Sequence, residues 1–295
     1  MVTEEMLWKD SYLLGHALID EQHKGLFKAA DTLMEALKQV DTREDYTYHI
    51  RESLAFLKEY ALNHFRYEEA YAFSMGINYD AHMKLHGKLL GNVFHHEKKL
   101  MGSNFANSDV KEFLGFFITW LIYHIAEEDQ ILSKGNIAAG ITSPVSDTIR
   151  WDEVIEKFAD RTCDVFKTVT GLSEKDITRQ MKHNTRITPD VCYEVAIIGK
   201  VEKVIGYIYS KEIALGAFKV MTSMEVDELN ELIYSSLQEI SNIISSRFSG
   251  IITASGIECD IDTPRRVTVE EIPFTNHRFL THTKLGSMEV ILFDK

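Results

Sequence analysis

Apolar residues recur at three- and four-residue spacing through the first 134 positions. This periodicity predicts helices over about 20–39, 43–71, 78–101 and 108–131. The breaks at Asp41-Thr42, Met75-Gly76-Ile77-Asn78 and Gly102-Ser103-Asn104 supply caps and turns between them. Pro144, Pro189, Pro264 and Pro273 all lie beyond this region. Proline breaks helix interiors because it lacks the amide donor and its ring clashes with the preceding turn, so their absence permits long uninterrupted helices. Long helices joined by short loops run antiparallel to their neighbours, and the expected architecture is a four-helix bundle.

The pattern changes near residue 140. The run from Gly135 to Pro144 combines small residues, two glycines and a proline, and reads as a linker. Beyond it the sequence predicts a helix from about Trp151 to Thr170 and β-rich runs at Cys192–Ile198 and Val204–Ser210. A long amphipathic helix follows over about Val226–Ser249, and the closing strands lie near Arg278–His282 and Met288–Phe293. That order predicts an α+β domain. The expected organisation is an all-α domain over 1–135, a linker over 136–149 and an α+β domain over 150–295.

Composition narrows the function classes. A chain of 295 residues is long enough for two cores, and 45% hydrophobic with 26% charged residues is ordinary for a folded protein. A formal charge of −13 argues against a nucleic-acid surface, which needs clustered Lys and Arg. Cys163, Cys192 and Cys259 have neither disulfide nor thiolate-metal spacing. No signal peptide is visible, and the longest apolar stretch, Phe113–Ala126, contains His124 and is too short to span a bilayer. A cytoplasmic protein that binds no membrane is expected.

Nine of the twelve histidines precede residue 143, and several are placed to meet. His23 lies near the start of the first predicted helix, His64 and Glu68 near the end of the second, His82 and His86 near the start of the third, and His124 and Asp129 near the end of the fourth. In an up-down-up-down bundle these positions converge at one end. Four-residue steps put both members of a pair on one helix face. The five-residue step from His124 to Asp129 is less favourable and requires the carboxylate to reach around toward the core. Seven convergent groups overfill a single four-coordinate zinc and imply two metals, and bridging carboxylates favour a six-coordinate pair such as di-iron. With two bridging carboxylates and one oxo bridge, one position of that pair stays open, as reversible dioxygen binding requires. A lone histidine on an amphipathic helix is more often a packing residue; the joint placement outweighs that reading.

The segments Ile19-Asp20-Glu21-Gln22-His23, His64-Phe65-Arg66-Tyr67-Glu68-Glu69, His82-x-x-x-His86 and Trp120-Leu121-x-x-His124-Ile125-x-x-x-Asp129 resemble the bacterial hemerythrins over about residues 5–133. The resemblance implies an oxo-bridged pair of irons that binds dioxygen, five histidine ligands (His23, His64, His82, His86, His124) and two bridging carboxylates (Glu68, Asp129). His16, His49, His95 and His96 fall outside the pattern and are expected in surface or packing roles. Glu69 is expected to be solvated.

In the second half, Glu239 and Asn242 stand three residues apart on one predicted helix, where both could point outward together. A carboxylate and a carboxamide so placed could dock a cationic side chain and orient a water for in-line attack on a phosphoryl group, although the spacing is common on solvated faces. Glu239-Ile240-x-Asn242, the helix continuing to Gly250, and Gly256-Ile257-x-x-Asp260-Ile261-x-x-Pro264 resemble the CheC, CheX and FliY phosphatases, CheX most nearly, over about 150–295. This resemblance implies that Asn242 orients the hydrolytic water and that Glu239 binds the active-site lysine of a phosphorylated CheY-like response regulator. The regulator would supply the aspartyl phosphate and the magnesium. It implies also a homodimer through the second domain. Glu156 is followed by Ala159 where a second motif would need Asn, so one active site per chain is expected.

Together these readings predict an oxygen- or redox-sensing di-iron protein that dephosphorylates a CheY-like regulator in chemotaxis signalling. The fourth helix carries His124 and Asp129 directly toward the linker and is the expected route of coupling. The alternative is an oxygen store or scavenger whose CheX-like domain serves only to bind a receiver protein. A redox enzyme consuming peroxide is a third reading.

Overall fold

Local capping explains where the first helices begin. The His16 imidazole accepts the Ile19 N–H at 3.3 Å and starts α1 (Ala17–Ala36), and the Thr42 hydroxyl accepts the Asp45 N–H at 3.2 Å to start α2 (Arg43–Ser74). Gly76 closes α2 in the left-handed conformation, φ 67°, with Ile77 N–H donating to Ala72 O at 2.9 Å. After α3 (Asp80–Gly102) the chain turns through Asn104 and Phe105, both at positive φ. Phe105 is buried, and the Arg43 guanidinium holds the carbonyls of both residues. The next helix, α4 (Asn107–Tyr123), packs with α3 and α1, and α2 packs with α1 and α3, which closes the four-helix bundle. Phe27, Leu33, Ile50, Leu57, Leu89, Phe113 and Leu121 form its buried interior.

The computed structural model describes residues 7–37, 42–134 and 149–295. Asp41 and the expected linker up to position 148 lie outside these residues. The chain divides into two compact units, Met1–Ala138 and Ala139–Lys295.

One feature of the bundle departs from the periodicity. At the end of α4 the backbone widens into a π turn over His124–Glu128, with Asp129 N–H donating to His124 O at 2.9 Å, before the short α5 (Gln130–Lys134). A π turn brings residues i and i+5 onto one face, so the five-residue step to Asp129 needs no reach around the helix.

The second unit is an α+β fold. It opens on α6 (Trp151–Thr170), followed by β1 (Ile177–Met181), β2 (Val191–Gly199), β3 (Lys203–Tyr209), α7 (Lys211–Thr222), α8 (Glu231–Thr253), β4 (Cys259–Ile261), β5 (Arg265–Val267), β6 (Arg278–Thr283) and β7 (Gly286–Asp294). The strands form one antiparallel sheet in the order β1-β6-β7-β3-β2-β4, with β5 also paired to β2. Strand alternation sends Tyr193, Tyr207 and Tyr209 toward α8 and Cys192 and Ile208 to a separate cluster with Ile272 and Ile291. Phe158 of α6 meets Phe248 of α8 and Phe279 of β6, with ring centroids 4.8 and 5.5 Å apart, and binds both helices to the sheet. The last long helix starts at Glu231, not at Val226, because Asn230 caps it by accepting the Leu232 N–H at 3.0 Å. The short strands β1, β4 and β5 and the helix α7 lie outside the elements that the periodicity predicts.

Gly286 is fixed by space as well as by conformation. Its φ is 134°, and a Cβ there would clash with the Ile213 backbone nitrogen. Gly286→Ala is therefore expected to destabilise the second unit by about 3 kcal/mol. A urea midpoint equal to that of the natural chain would contradict this.

Candidate metal centre and the Glu-x-x-Asn helix

All seven predicted ligand residues are buried at one end of the bundle: His23 from α1, His64 and Glu68 from α2, His82 and His86 from α3, His124 at the start of the π turn and Asp129 just after it. Their ligand atoms form two sets, one of His82, His86, His124, Glu68 and Asp129, the other of His23, His64, Glu68 and Asp129. Asp129 Oδ1 lies 3.0 Å from His82 Nε2 and 3.1 Å from His124 Nε2, and Glu68 Oε2 lies 3.4 Å from His86 Nε2. The opposite oxygens face the smaller set: Asp129 Oδ2 is 3.2 Å from His23 Nε2, and Glu68 Oε1 is 3.4 Å from His23 Nε2 and 3.5 Å from His64 Nε2. Each carboxylate thus presents one oxygen to each set, as a bridge between two cations requires.

Bond accounting tests the fit. His23 Nε2, Glu68 Oε1 and both Asp129 oxygens are buried without a hydrogen-bond partner. Leaving such groups unsatisfied costs about 1–3 kcal/mol each. Two cations, one in each set, satisfy them together, and imidazole with carboxylate suits first-row transition metals.

Several supporting residues were not predicted. Rings stack face to face on each histidine of the larger set: Tyr79 on His82 at 4.3 Å between centroids, Phe65 on His86 at 3.9 Å and Trp120 on His124 at 4.1 Å. The Tyr79 hydroxyl also lies 3.5 Å from Glu68 Oε2. Tyr79 precedes His82 by three residues and Trp120 precedes His124 by four, so helical spacing was a usable signal for both. Gln22 Oε1 accepts from His64 Nδ1 at 3.1 Å. Glu69 is not simply solvated as expected: its Oε1 lies 3.3 Å from His86 Nδ1, and the side chain is 30% exposed. Of the histidines outside the set, His16 caps α1 and His96 stacks on Phe116.

Charge in the cluster favours cations. Burial and Asp129 push the Glu68 carboxyl up, but His64, His23 and His86 outweigh them and hold it at about 2. Asp129 stays well below the carboxylate range because His124, His23 and His82 overcome its burial. Burial keeps His64 down at about 4 and His124 well below its ordinary value. His23 goes the other way: burial opposes its charge, but the carboxylates of Asp129 and Glu68 close to its ring raise it to about 9.

A folded-state value above the ordinary 6.5 means that the His23 proton stabilises the metal-free fold fully below pH 6.5, a contribution lost as pH rises through about 9. A metal must displace that proton. Uptake at pH 7 is therefore expected to release about one proton from His23, and apparent affinity to rise with pH up to about 9. Calorimetric titration in buffers of different ionisation enthalpy checks this, and a buffer-independent heat would contradict it.

In the second unit, Asn242 Nδ2 donates to Glu239 Oε2 at 3.3 Å. The pair does not point outward together. Asn242 is half-buried, whereas Glu239 is only 7% exposed, because α8 packs against α6, α7, β2 and β4 and keeps a narrow outer strip. Burial pushes the Glu239 carboxyl up to about 8, with Asn242 offsetting part of the shift. Three tyrosines fix the rotation of α8: Tyr193 OH donates to Tyr234 O at 2.6 Å, Tyr209 OH lies 2.8 Å from Ser241 Oγ, and Tyr207 OH lies 2.6 Å from Ser245 Oγ. The Gly256–Pro264 segment lies along the same helix, held by Gln238 Nε2 donating to Pro264 O at 3.0 Å and Ser249 Oγ to Cys259 O at 2.9 Å. In α6, Glu156 pairs with Arg179 and Ala159 is buried.

Comparison with known proteins agrees with the geometry of the first unit. The family model of the hemerythrin HHE cation binding domain matches residues 14–134. A bacteriohemerythrin of Clostridium acetobutylicum is 33% identical over 133 residues, covering 42% of this chain and 95% of the relative. A bacteriohemerythrin of Pseudomonas aeruginosa is 26% identical over 125 residues, covering 42% of this chain and 76% of the relative. Among solved structures, chemotaxis protein CheX from Vibrio vulnificus superposes on 48% of this chain and 99% of its own, with TM-score 0.41 and 19% identity. CheX of Borrelia burgdorferi, in a complex with CheY, BeF3 and magnesium, covers 47% of this chain and 96% of its own, with TM-score 0.41 and 23% identity. With a family model matched from residue 14 to residue 134 and a relative 33% identical along nearly its whole length, the chain belongs to the hemerythrin family.

Proposed function

We propose that this chain is an oxygen- or redox-responsive regulator in which a di-iron centre in the first unit governs dephosphorylation of a CheY-like response regulator by the second. The observation that carries the reading is the buried set of His23, His64, Glu68, His82, His86, His124 and Asp129, whose two carboxylates face both subsites, with Glu68 Oε1 and both Asp129 oxygens lacking a hydrogen-bond partner. Two irons held by these five histidines and two carboxylates would supply reversible dioxygen binding. The protein's part is to fix and dry the site. Phe65, Tyr79 and Trp120 sheathe one side, and Gln22 and Glu69 orient His64 and His86 from behind. Iron analysis with ultraviolet-visible spectroscopy tests this part: two irons per chain and an absorbance that reverses with oxygen are expected, and an iron-free or oxygen-indifferent protein sinks it.

In the second unit, Asn242 orients the water that attacks the phosphoryl group, and Glu239 receives the ammonium of the regulator's active-site lysine. The regulator supplies its aspartyl phosphate and magnesium, and inorganic phosphate leaves. Support comes from the Glu239–Asn242 hydrogen bond on a helix locked by three tyrosines. Because Glu239 sits at about 8, it is mostly protonated at pH 7, and ionising it there costs about 1.4 kcal/mol for each pH unit below that value. Turnover at low regulator concentration is therefore expected to rise about tenfold per pH unit below 8 and level off above it. A flat profile would exclude docking through an ionised Glu239, and Glu239→Gln should flatten the natural one.

The burial of Glu239 also favours a narrower reading, an oxygen store or scavenger whose second unit only binds a receiver. A chain that retains a phosphorylated receiver without accelerating its hydrolysis would select that reading.

A further inference from the structure

The two halves of the metal cluster differ in more than histidine number. Every imidazole of the set His82, His86 and His124 carries a parallel aromatic ring, whereas among the described residues no ring stacks in parallel on His23 or His64. A stacked ring fixes the imidazole plane before a cation arrives, so less orientational freedom is lost on binding.

The groups behind the ligands are also unequal. With Nε2 turned into the cluster, His86 carries its proton on Nδ1 and donates to the Glu69 carboxylate at 3.3 Å. His64 donates from Nδ1 to the neutral amide oxygen of Gln22 at 3.1 Å, and His23 Nδ1 is buried with no hydrogen-bond partner. A carboxylate behind an imidazole makes its other nitrogen a stronger donor than an amide does, because negative charge is shared through the ring.

We infer that the two subsites fill in order, the one built from His82, His86 and His124 first, and that Glu69 is the positioning residue that widens the gap between them. The inference rests on the two-metal reading above. The cation at the first subsite orders one oxygen of Glu68 and one of Asp129, and leaves their opposite oxygens facing His23 and His64. The second subsite is then completed by the first, and single occupancy is a distinct state of the protein at substoichiometric metal.

Anaerobic titration of the metal-free full chain with Co(II), followed by its visible absorption and by calorimetry, tests this. The natural chain should take up two equivalents in resolved steps. In Glu69→Gln, the first step should weaken by about 10- to 100-fold while the second changes less. His64→Gln should keep the first equivalent and lose the second. Uptake of no cobalt would refute the two-metal reading itself. Two equivalents bound in one unresolved step, or first-site loss in His64→Gln, would overturn the loading order, and a Glu69→Gln titration identical to the natural one would overturn the role of Glu69. Helical circular dichroism that matches the natural chain shows that each variant is folded; should Glu69→Gln fail to fold, Glu69→Asp keeps the charge, shortens the reach, and is expected to weaken the same first step.

Discussion

Asp129→Ala is expected to lose both metals at once. Its two oxygens are divided between the subsites, Oδ1 facing His82 and His124 and Oδ2 facing His23, so one truncation removes a ligand from each cation. The same change leaves the raised His23 with only Glu68 as counter-charge in a buried site, and breaking a buried pair on one side costs about 3–5 kcal/mol. The metal-free variant should therefore unfold earlier than the metal-free natural chain at neutral pH, in addition to failing to bind iron. Metal content after reconstitution and thermal unfolding of both metal-free forms measure the two effects separately. Retention of two metals per chain would mean that Asp129 is not a bridge.

Asn242→Ala is expected to lower phosphoryl hydrolysis by about a hundredfold or more, the usual scale for losing a group that positions a reactant. Receiver affinity should fall much less than hydrolysis, because docking is assigned to Glu239. The side chain is half-buried and bonded to Glu239 at 3.3 Å, so the truncation also removes the one group that partly offsets the raised Glu239. Hydrolysis and binding must therefore be measured on the same preparation. Undiminished hydrolysis would remove Asn242 from the chemistry, and parallel loss of binding and hydrolysis would make it a docking residue instead.

Much of the first unit was legible because helical periodicity and ligand spacing report the same geometry. His64–Glu68 and His82–His86 fall one turn apart, and the long proline-free helices leave few ways to arrange them. The step from His124 to Asp129 was legible as residues but not as backbone. A π turn has no hydrophobic signature of its own, so the Asp129 N–H bonded to His124 O appears only in three dimensions. Glu69 was misread for a related reason: a charged residue beside a ligand looks solvated in sequence, and its bond to His86 depends on how α2 faces α3.

The second unit was less legible. Most of its long elements were found, but β1, β4 and β5 are too short for periodicity to declare them, and β4 and β5 are defined by pairing with the distant β2. The burial of Glu239 is likewise tertiary. Helix spacing put it beside Asn242 correctly, but the neighbours that cover it come from α6, α7 and the sheet.

The proposed coupling makes the activity of the second unit depend on the state of the first. It is tested most directly by phosphate release from a phosphorylated CheY-like receiver, with the iron-loaded chain in its reduced and its oxygenated forms and the absorbance followed in the same cuvette. Coupling free energies between sites usually correspond to about 5- to 150-fold, so turnover should differ at least about fivefold between the two forms, and Asp129→Ala should show one rate in both atmospheres. Equal turnover of the iron-loaded natural chain in the two forms would contradict the account and leave an oxygen binder beside an uncoupled second unit.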